Sequence, residues 1–277
     1  MSELRFHKMS GAGNDFVVID NRQGRLRGNL NAFAAAVADR KRGVGADGVL
    51  LLEPSPRKDF RMRYFNADGS EADMCGNGGR CIARFATLVG AVGNDMEFEN
   101  LAGDFRASVL ADGQVNLQMT QPHSMELNLS LPIEGVVLKG HFLNTGVPHV
   151  VVPVEDVEAV DVVGWGRQLR YHTRFAPKGS NANFVQVTGP ASLKIRTYER
   201  GVEDETLACG TGSVAAAILM ARLGEVQSPV KVVTRGGDTL SVSFKLEGDK
   251  ATEVFLKGGA EVSFVGTLDP SRYGIKD

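Results

Sequence analysis

The sequence predicts an α+β protein of two pseudo-symmetric, duplicated domains. Each is expected to be a mostly antiparallel β-sheet or barrel wrapped around one central helix, with the active site in the cleft between them. Three observations carry this expectation. A cysteine directly ahead of Gly-x-Gly occurs twice, in MCGNGGRC from Met74 and ACGTGSVA from Ala208, and each time an apolar, Ala-containing segment with helical character follows. The offset from Cys75 to Cys209, 134 residues, aligns much of the remaining chain without a gap. Outside these segments the pattern is one of short apolar or alternating runs divided by Gly, Asp and Asn turns, as strands require.

The offset sets Tyr64 on Tyr198, Glu71 on Glu205, Gly45 on Gly179, Gly90 on Gly224, and Gly103-Asp104 on Gly237-Asp238. It also lays SGAGNDFVV from Ser10 on NTGVPHVVV from Asn144. A repeat this long denotes a pair of homologous domains rather than a solenoid unit. Packing about a pseudo-two-fold axis would bring the two cysteine loops to face one another, with one thiol on each side of a shared ligand. Residues 1–119 with 265–277 are expected to form the N-terminal half, and residues 120–264 the C-terminal half.

In chain order, Phe16 to Asp20 reads as a strand entered from the turn SGAGND, Leu30 to Arg40 as a helix, Val49 to Glu53 as a buried strand, and Arg61 to Phe65 as a half-exposed one. The helix after Cys75 should stop near Gly90. Strands follow at Glu97 to Glu99, Phe105 to Leu110 and Val115 to Met119. Gln121 to Pro132 is polar, proline-bounded and aperiodic, and reads as the crossover between domains. The second half repeats the plan, with strands at Gly135 to Phe142 and His149 to Val154, a helix around Val157 to Leu169, and strands at Asn183 to Val187 and Leu193 to Thr197. The second cysteine helix, Thr211 to Leu223, is apolar nearly all round, which marks a buried axis. Strands at Val230 to Thr234, Thr239 to Leu246, Glu253 to Leu256 and Glu261 to Phe264 complete the chain.

Composition narrows the function classes. With 277 residues, 43% hydrophobic and 23% charged, the chain suffices for two cores of roughly 100–150 residues. A net charge of −2 with interspersed signs argues against a nucleic-acid surface, and no apolar run approaches a bilayer span. The start, MSELRFHKMS, has no apolar signal core, so a cytoplasmic location is the default. Three cysteines, Cys75, Cys81 and Cys209, form neither a disulfide framework nor a CxxC zinc site.

Each paired cysteine should sit at a helix N-terminus, where unpaired N–H groups and the helix dipole favour thiolate over thiol and also attract a carboxylate. Four roles compete: structural packing, a disulfide, metal binding, and an acid–base pair. Metal binding lacks further ligands, since His149 is the only histidine in a motif-like loop, and a resting disulfide is disfavoured in the cytoplasm. Moving a proton off one face of a tetrahedral carbon and onto the other needs two groups on opposite sides, each able to give or take. One thiol and one thiolate supply this, because a cysteine pKa of about 8.5 falls toward neutrality at a helix start. The expected reaction is racemisation or epimerisation at the α-carbon of an amino acid. Backbone N–H groups of Gly76, Asn77, Gly210 and Thr211 are placed to hold its carboxylate. Neither copy fits a Walker A or Rossmann pattern, and no cofactor or metal is expected.

Five motifs, HKMSGAGNDFVVID from His7, GVGADG from Gly43, FNADGSEADMCGNGGRC from Phe65, GSNANF from Gly179 and YERGVEDETLACGTG from Tyr198, give the chain a resemblance to the PLP-independent diaminopimelate epimerases over essentially its whole length. The resemblance implies conversion of LL-diaminopimelate to the meso form on the route to lysine and peptidoglycan, by a two-domain protein that is commonly a homodimer. By motif position it makes Cys75 and Cys209 the catalytic base and acid. It implies that Asn14, Asn66, Asn181, Glu199 and Arg200 bind substrate, and that His149 and Glu199 tune the cysteines. Arg200 is apt for a second carboxylate, which its fork can take in two parallel bonds. Gly48 and Val147 stand where some members have Gln and a substrate-binding Asn; Thr145 is a candidate replacement. Proline or hydroxyproline racemases are the nearest rival class, an isomerase of the phenazine type the next, and a non-catalytic amino-acid-binding protein a third. Cys81 reads as structural, because its counterpart in the second copy is Ala215.

Overall fold

The computed structural model describes residues 3–72 and 75–275; Met74, the first residue of the first cysteine motif, lies outside the described residues. The chain divides into two compact units, residues 1–117 with 258–277, and residues 118–257.

The first unit carries β1 (Leu4–Gly11), β2 (Asn14–Asp20), α1 (Leu30–Ala38), β3 (Gly48–Glu53), β4 (Phe60–Asn66), β5 (Glu71–Ala72), α2 (Gly76–Leu88), β6 (Asp95–Asn100), β7 (Gly103–Val109) and β8 (Val115–Gln118). β1 and β2 form a tight antiparallel pair, β2 runs parallel to β3, and β3 runs antiparallel to β4. β4 then pairs antiparallel with β5 and parallel with β6. β3 is a continuous apolar run, GVLLLE, because both its faces are covered; Val49 to Leu52 are fully buried. α2 touches strands as far apart as β1, β4 and β7, so the sheet must curve around it. Ten of its thirteen residues are buried. α1, capped by the Asn29 side chain on Ala32 N–H, closes the opposite face, with Phe33 and Val37 packed against Val17, Val49 and Leu51.

The second unit repeats the order with β9 (His123–Ile133), β10 (Val136–Asn144), β11 (Pro148–Pro153), α3 (Val162–Arg170), β12 (Asn181–Gly189), β13 (Ser192–Glu199), β14 (Asp204–Thr206), α4 (Gly210–Arg222), β15 (Val230–Val233), β16 (Thr239–Glu247) and β17 (Lys250–Gly258). The pairing rules recur: β11 runs parallel to β12, β12 antiparallel to β13, and β13 parallel to β15. α4 touches β10 to β13, β15 and β16, and is buried at ten of its thirteen residues. Its bounds are those of α2 moved by the 134-residue offset. Gly90 and Gly224, matched by that offset, end the two helices at φ of 65° and 82°.

Three sequence expectations are corrected. Gln121 to Pro132, read as an irregular crossover, contains β9, antiparallel to β10. Its alternation is masked because the strand is largely exposed and two register shifts interrupt the pairing, with Ser124 and Asn128 at φ of 57° and 58°. The helix expected around Val157 to Leu169 is split into a 3₁₀ turn, Val157–Ala159, and α3. The cause is Asp161, whose carboxylate accepts from Gly164 N–H at 2.9 Å and starts a new helix. The last strand, β18 (Glu261–Leu268), pairs along β1, so the chain returns to the first unit at Gly258 rather than at 265.

Candidate active site

The two cysteines occupy the same backbone position. Cys75 is the N-cap of α2 at φ −129°, ψ 123°, and Cys209 the N-cap of α4 at φ −127°, ψ 108°. Their carbonyls accept the first helical bonds, from Gly79 N–H at 2.7 Å and Ser213 N–H at 2.9 Å. Neither side chain makes the capping bond that Ser or Asp would make in its place. The positive end of each helix dipole therefore lies beside the cysteine that begins it. Cys81, one helical layer deeper, is fully buried, and burial pushes its thiol up to about 12, which keeps it protonated.

Around the Cys75 loop the frame is charged. Asn77 Nδ2 donates to Asn14 Oδ1 at 2.7 Å, and Asn14 Nδ2 donates to Asp47 Oδ2 at 3.0 Å. Asp47 and Asp15 exchange backbone-to-carboxylate bonds and share Arg40, while Lys8 pairs with Asp15 at 2.7 Å and donates to the Gly45 carbonyl. Burial alone would raise Asp15, but the bonds and charges of Arg40 and Lys8 outweigh it and hold the carboxyl at about 2. From the helix side, the buried Arg80 donates to Asn77 Oδ1 at 2.8 Å and to the Gly76 and Gly259 carbonyls at 3.3 Å. β1 approaches so closely that a Cβ on Gly11 would lie 2.9 Å from the Asn77 carbonyl and 3.1 Å from Cys81 Sγ. Asn66 ends β4, and its Nδ2 donates to Ser70 Oγ at 3.0 Å.

Next to Cys209 the frame is built of hydroxyls, an imidazole and an amide. Cys209 Sγ lies 3.5 Å from Thr211 Oγ1, which lies 3.0 Å from His149 Nε2. His149 Nδ1 in turn lies 3.2 Å from Asn183 Nδ2, and Asn183 Oδ1 accepts from Thr197 Oγ1 at 3.0 Å. Burial, with a smaller contribution from the Arg200 charge, lowers His149 to about 3, so the ring is neutral at physiological pH. Thr145 donates to the Thr211 carbonyl at 3.1 Å and steadies the first turn of α4. On the neighbouring strand ends, Asn181 spans the Pro148 carbonyl and Arg200 N–H, both at 2.9 Å, and Glu199 accepts from Thr206 Oγ1 at 2.9 Å. The Arg200 guanidinium reaches the Lys178 carbonyl at 3.4 Å, and Arg170 reaches the same oxygen at 3.3 Å. Burial and the Arg170 charge lower the Arg200 pKa against the opposing charge of Glu203, and an arriving anion would offset the Arg170 repulsion.

A family model described as diaminopimelate epimerase matches residues 6–125 and 141–262. The diaminopimelate epimerase of Aquifex aeolicus is 47% identical over 276 residues, covering 96% of this chain and 98% of that protein. The chain belongs to the diaminopimelate epimerase family. The diaminopimelate epimerase of Archaeoglobus fulgidus is 42% identical, over 98% of this chain and 99% of its own. Among solved structures, a phenazine biosynthesis protein of the PhzF family from Bacillus anthracis superposes with a TM-score of 0.76 at 17% identity, over 97% of this chain and 100% of its own. A hydroxyproline epimerase from Agrobacterium vitis gives a TM-score of 0.73 at 16% identity, over 97% and 91%. At such identities these two show the shared fold alone.

Within this member of the diaminopimelate epimerase family, the structure gathers Asn14, Gly76 and Asn77 at the Cys75 loop. It gathers His149, Gly210 and Thr211 at the Cys209 loop, and Asn181, Glu199 and Arg200 on the strand ends of the same unit. Sequence reasoning missed Arg80, Asp47, Asn183 and Thr197. A signal existed for Asn183: a polar amide inside the apolar run NANFV is unusual for a strand covered on both faces. The departure at Gly48 has a steric cause, because a Cβ there would sit 2.6 Å from the Phe65 carbonyl and from the Tyr64 ring.

Proposed function

We propose that this chain interconverts LL- and meso-2,6-diaminopimelate without PLP, by a two-base mechanism, in the route to lysine and peptidoglycan precursors. The observation that carries the catalytic reading is the equivalent placement of Cys75 and Cys209 as N-cap residues whose side chains do not cap their helices. One thiolate takes the α-proton while the other thiol donates its own proton to the opposite face. The sulfurs exchange protonation states, and no atom is gained or lost. The carbanion that forms passes charge to the α-carboxylate, which first-turn N–H groups of Gly76, Asn77, Gly210 and Thr211 are suited to hold. Asn14, Asn66, Asn181, Glu199 and Arg200 are the proposed partners of the remaining amino and carboxylate groups. Arg200 is suited to the distal carboxylate, since its planar fork can take a carboxylate in two parallel bonds. His149 acts in the neutral form.

Exchange of the α-proton of LL-diaminopimelate with deuterated solvent tests this, without added PLP, for wild type, Cys75→Ala and Cys209→Ala, with proline in parallel. The expected result is epimerisation by wild type with solvent deuterium carried into the product, lost on removing either thiol and absent with proline. Turnover of proline instead would move the chain to the racemases whose fold it shares.

The enzyme is further proposed to be a cytoplasmic homodimer. No described helix is long and apolar enough to cross a membrane. β18 exposes Phe264 and Val265 beside a hollow of about 460 Å³ lined by Phe6, Val44 and Tyr273, a face suited to a second copy. Light scattering should give twice the chain mass, falling to one chain in Phe264→Glu.

A further inference from the structure

We infer that Asn183 is a positioning residue that holds the His149 imidazole as its Nε2–H tautomer and so turns the Thr211 hydroxyl proton toward the Cys209 sulfur. The inference rests on the reading of Cys209 as a catalytic thiol, and its geometry lies wholly within the second unit.

Asn183 is fully buried on β12. Its Nδ2 lies 2.9 Å from the Val150 carbonyl and 3.2 Å from His149 Nδ1, while its Oδ1 lies 3.0 Å from Thr197 Oγ1. The Val150 carbonyl can only accept, which fixes the amide: turned over, Asn183 would set Oδ1 against that oxygen. With Nδ2 donating to both neighbours, His149 Nδ1 has to accept, and the single proton of the neutral ring lies on Nε2. The other tautomer would oppose two donors across 3.2 Å. Nε2–H then donates to Thr211 Oγ1 at 3.0 Å, and the hydroxyl, its oxygen engaged, has its own proton left for Cys209 Sγ at 3.5 Å. An O–H donated to sulfur favours the thiolate. Burial, with the nearby Arg200 charge, keeps the ring neutral, so the tautomer is the variable that matters.

Two further features fit. A Cβ on Gly212 would overlap Asn183 Oδ1, so the second glycine of Cys-Gly-Thr-Gly makes room for the amide. In the first unit the position matched to Asn183 by the 134-residue offset is the apolar Val49, so the device serves one cysteine only.

The test uses the intact protein, ¹⁵N-labelled, with no substrate present. Long-range ¹H–¹⁵N spectra of His149 should show the Nε2–H pattern in wild type and lose it in Asn183→Leu. Alkylation of Cys209 by iodoacetamide at pH 7, followed by peptide mass spectrometry, should slow about tenfold in Asn183→Leu and Thr211→Val, the equivalent of about one unit of thiol pKa. It should be retained in Thr211→Ser, with Cys75 as the internal reference. An Nδ1–H pattern in wild type overturns the inference even if the variants fail to fold, and so does an unchanged Cys209 rate in folded Asn183→Leu. Because neither readout uses substrate, a wild type that does not exchange the α-proton of diaminopimelate would sink the proposed reaction and leave this assignment standing.

Discussion

At positions matched by the 134-residue offset, the first unit sets Asp15, Asp47 and Arg80 about its cysteine loop, where the second sets His149, Asn181 and Val214. The backbone device is the same in both, a cysteine N-cap in extended geometry ahead of a buried thirteen-residue helix. What surrounds it differs. A chain of ion pairs and amides braces the Cys75 loop, whereas hydroxyls, a neutral imidazole and an amide brace the Cys209 loop. The part common to the two copies is the cysteine at the positive end of a helix, and the two thiols sit in chemically distinct settings.

The largest way to break the comparison is at Arg80. Arg80→Ala leaves the buried Asn77 Oδ1 and two carbonyls without their charged donor and opens a cavity, which should cost about 3 kcal/mol. Val214→Ala, at the matched position, should cost less, because only apolar contact is lost. Urea unfolding of both variants measures the difference, and equal losses would mean that Arg80 serves as packing alone.

Next come the glycines of the two loops. Gly212→Ala drives a methyl into Asn183 Oδ1 and to within 3.3 Å of Cys209 Sγ, and should cost about 1–3 kcal/mol with loss of epimerisation. Gly78→Ala has Leu50, Met62 and Phe16 side chains as its nearest neighbours at 3.4–3.5 Å, and as a helix-interior replacement should be neutral or stabilise by up to about 1 kcal/mol. Thermal melts and turnover of the pair would show whether the tight loop is the second one.

The smallest effect is one of pH. His149 is held at about 3 in the folded chain against 6.5 for the ordinary ring, so an unfolded chain takes up the proton first. Its contribution is present above pH 6.5 and is lost as the pH falls from there toward 3. Between pH 8 and 6 this amounts to about 1 kcal/mol. Asp15, held at about 2, contributes above pH ~3.9 and is lost only below it. Urea midpoints for wild type and His149→Gln at pH 8 and 6 should therefore converge on acidification, while Asp15→Asn keeps the wild-type slope over that range.

The elements legible in the sequence were those whose pattern is enforced by burial. The two cysteine helices, the apolar β3 and the alternating β4 could be read because one or both faces are covered. β1, β5 and β14 were not. LRFHKMSG mixes long polar side chains with apolar ones and ends in glycine, and the other two are too short to carry a period. β9 was hidden by bulges and exposure. At the site, the repeat exposed Cys75 and Cys209 as a pair, and the motif resemblance supplied Asn14, Asn181 and Arg200. Arg80 and Asn183 could not be read, because their significance lies in carbonyls and side chains that the fold brings to them from distant parts of the chain.

The central claim is that two sulfurs act on opposite faces of one carbon, and the position of isotope early in the reaction tests it most directly. LL-diaminopimelate is turned over by wild type in deuterated water and stopped within the first few per cent of conversion. The account predicts one deuterium at the inverted carbon of the meso product and none in the recovered LL substrate, since the accepting sulfur faces the side from which no deuteron is returned. Deuterium in the recovered substrate as early as in the product, or a product that keeps the original proton, would mean that a single group both removes and returns it.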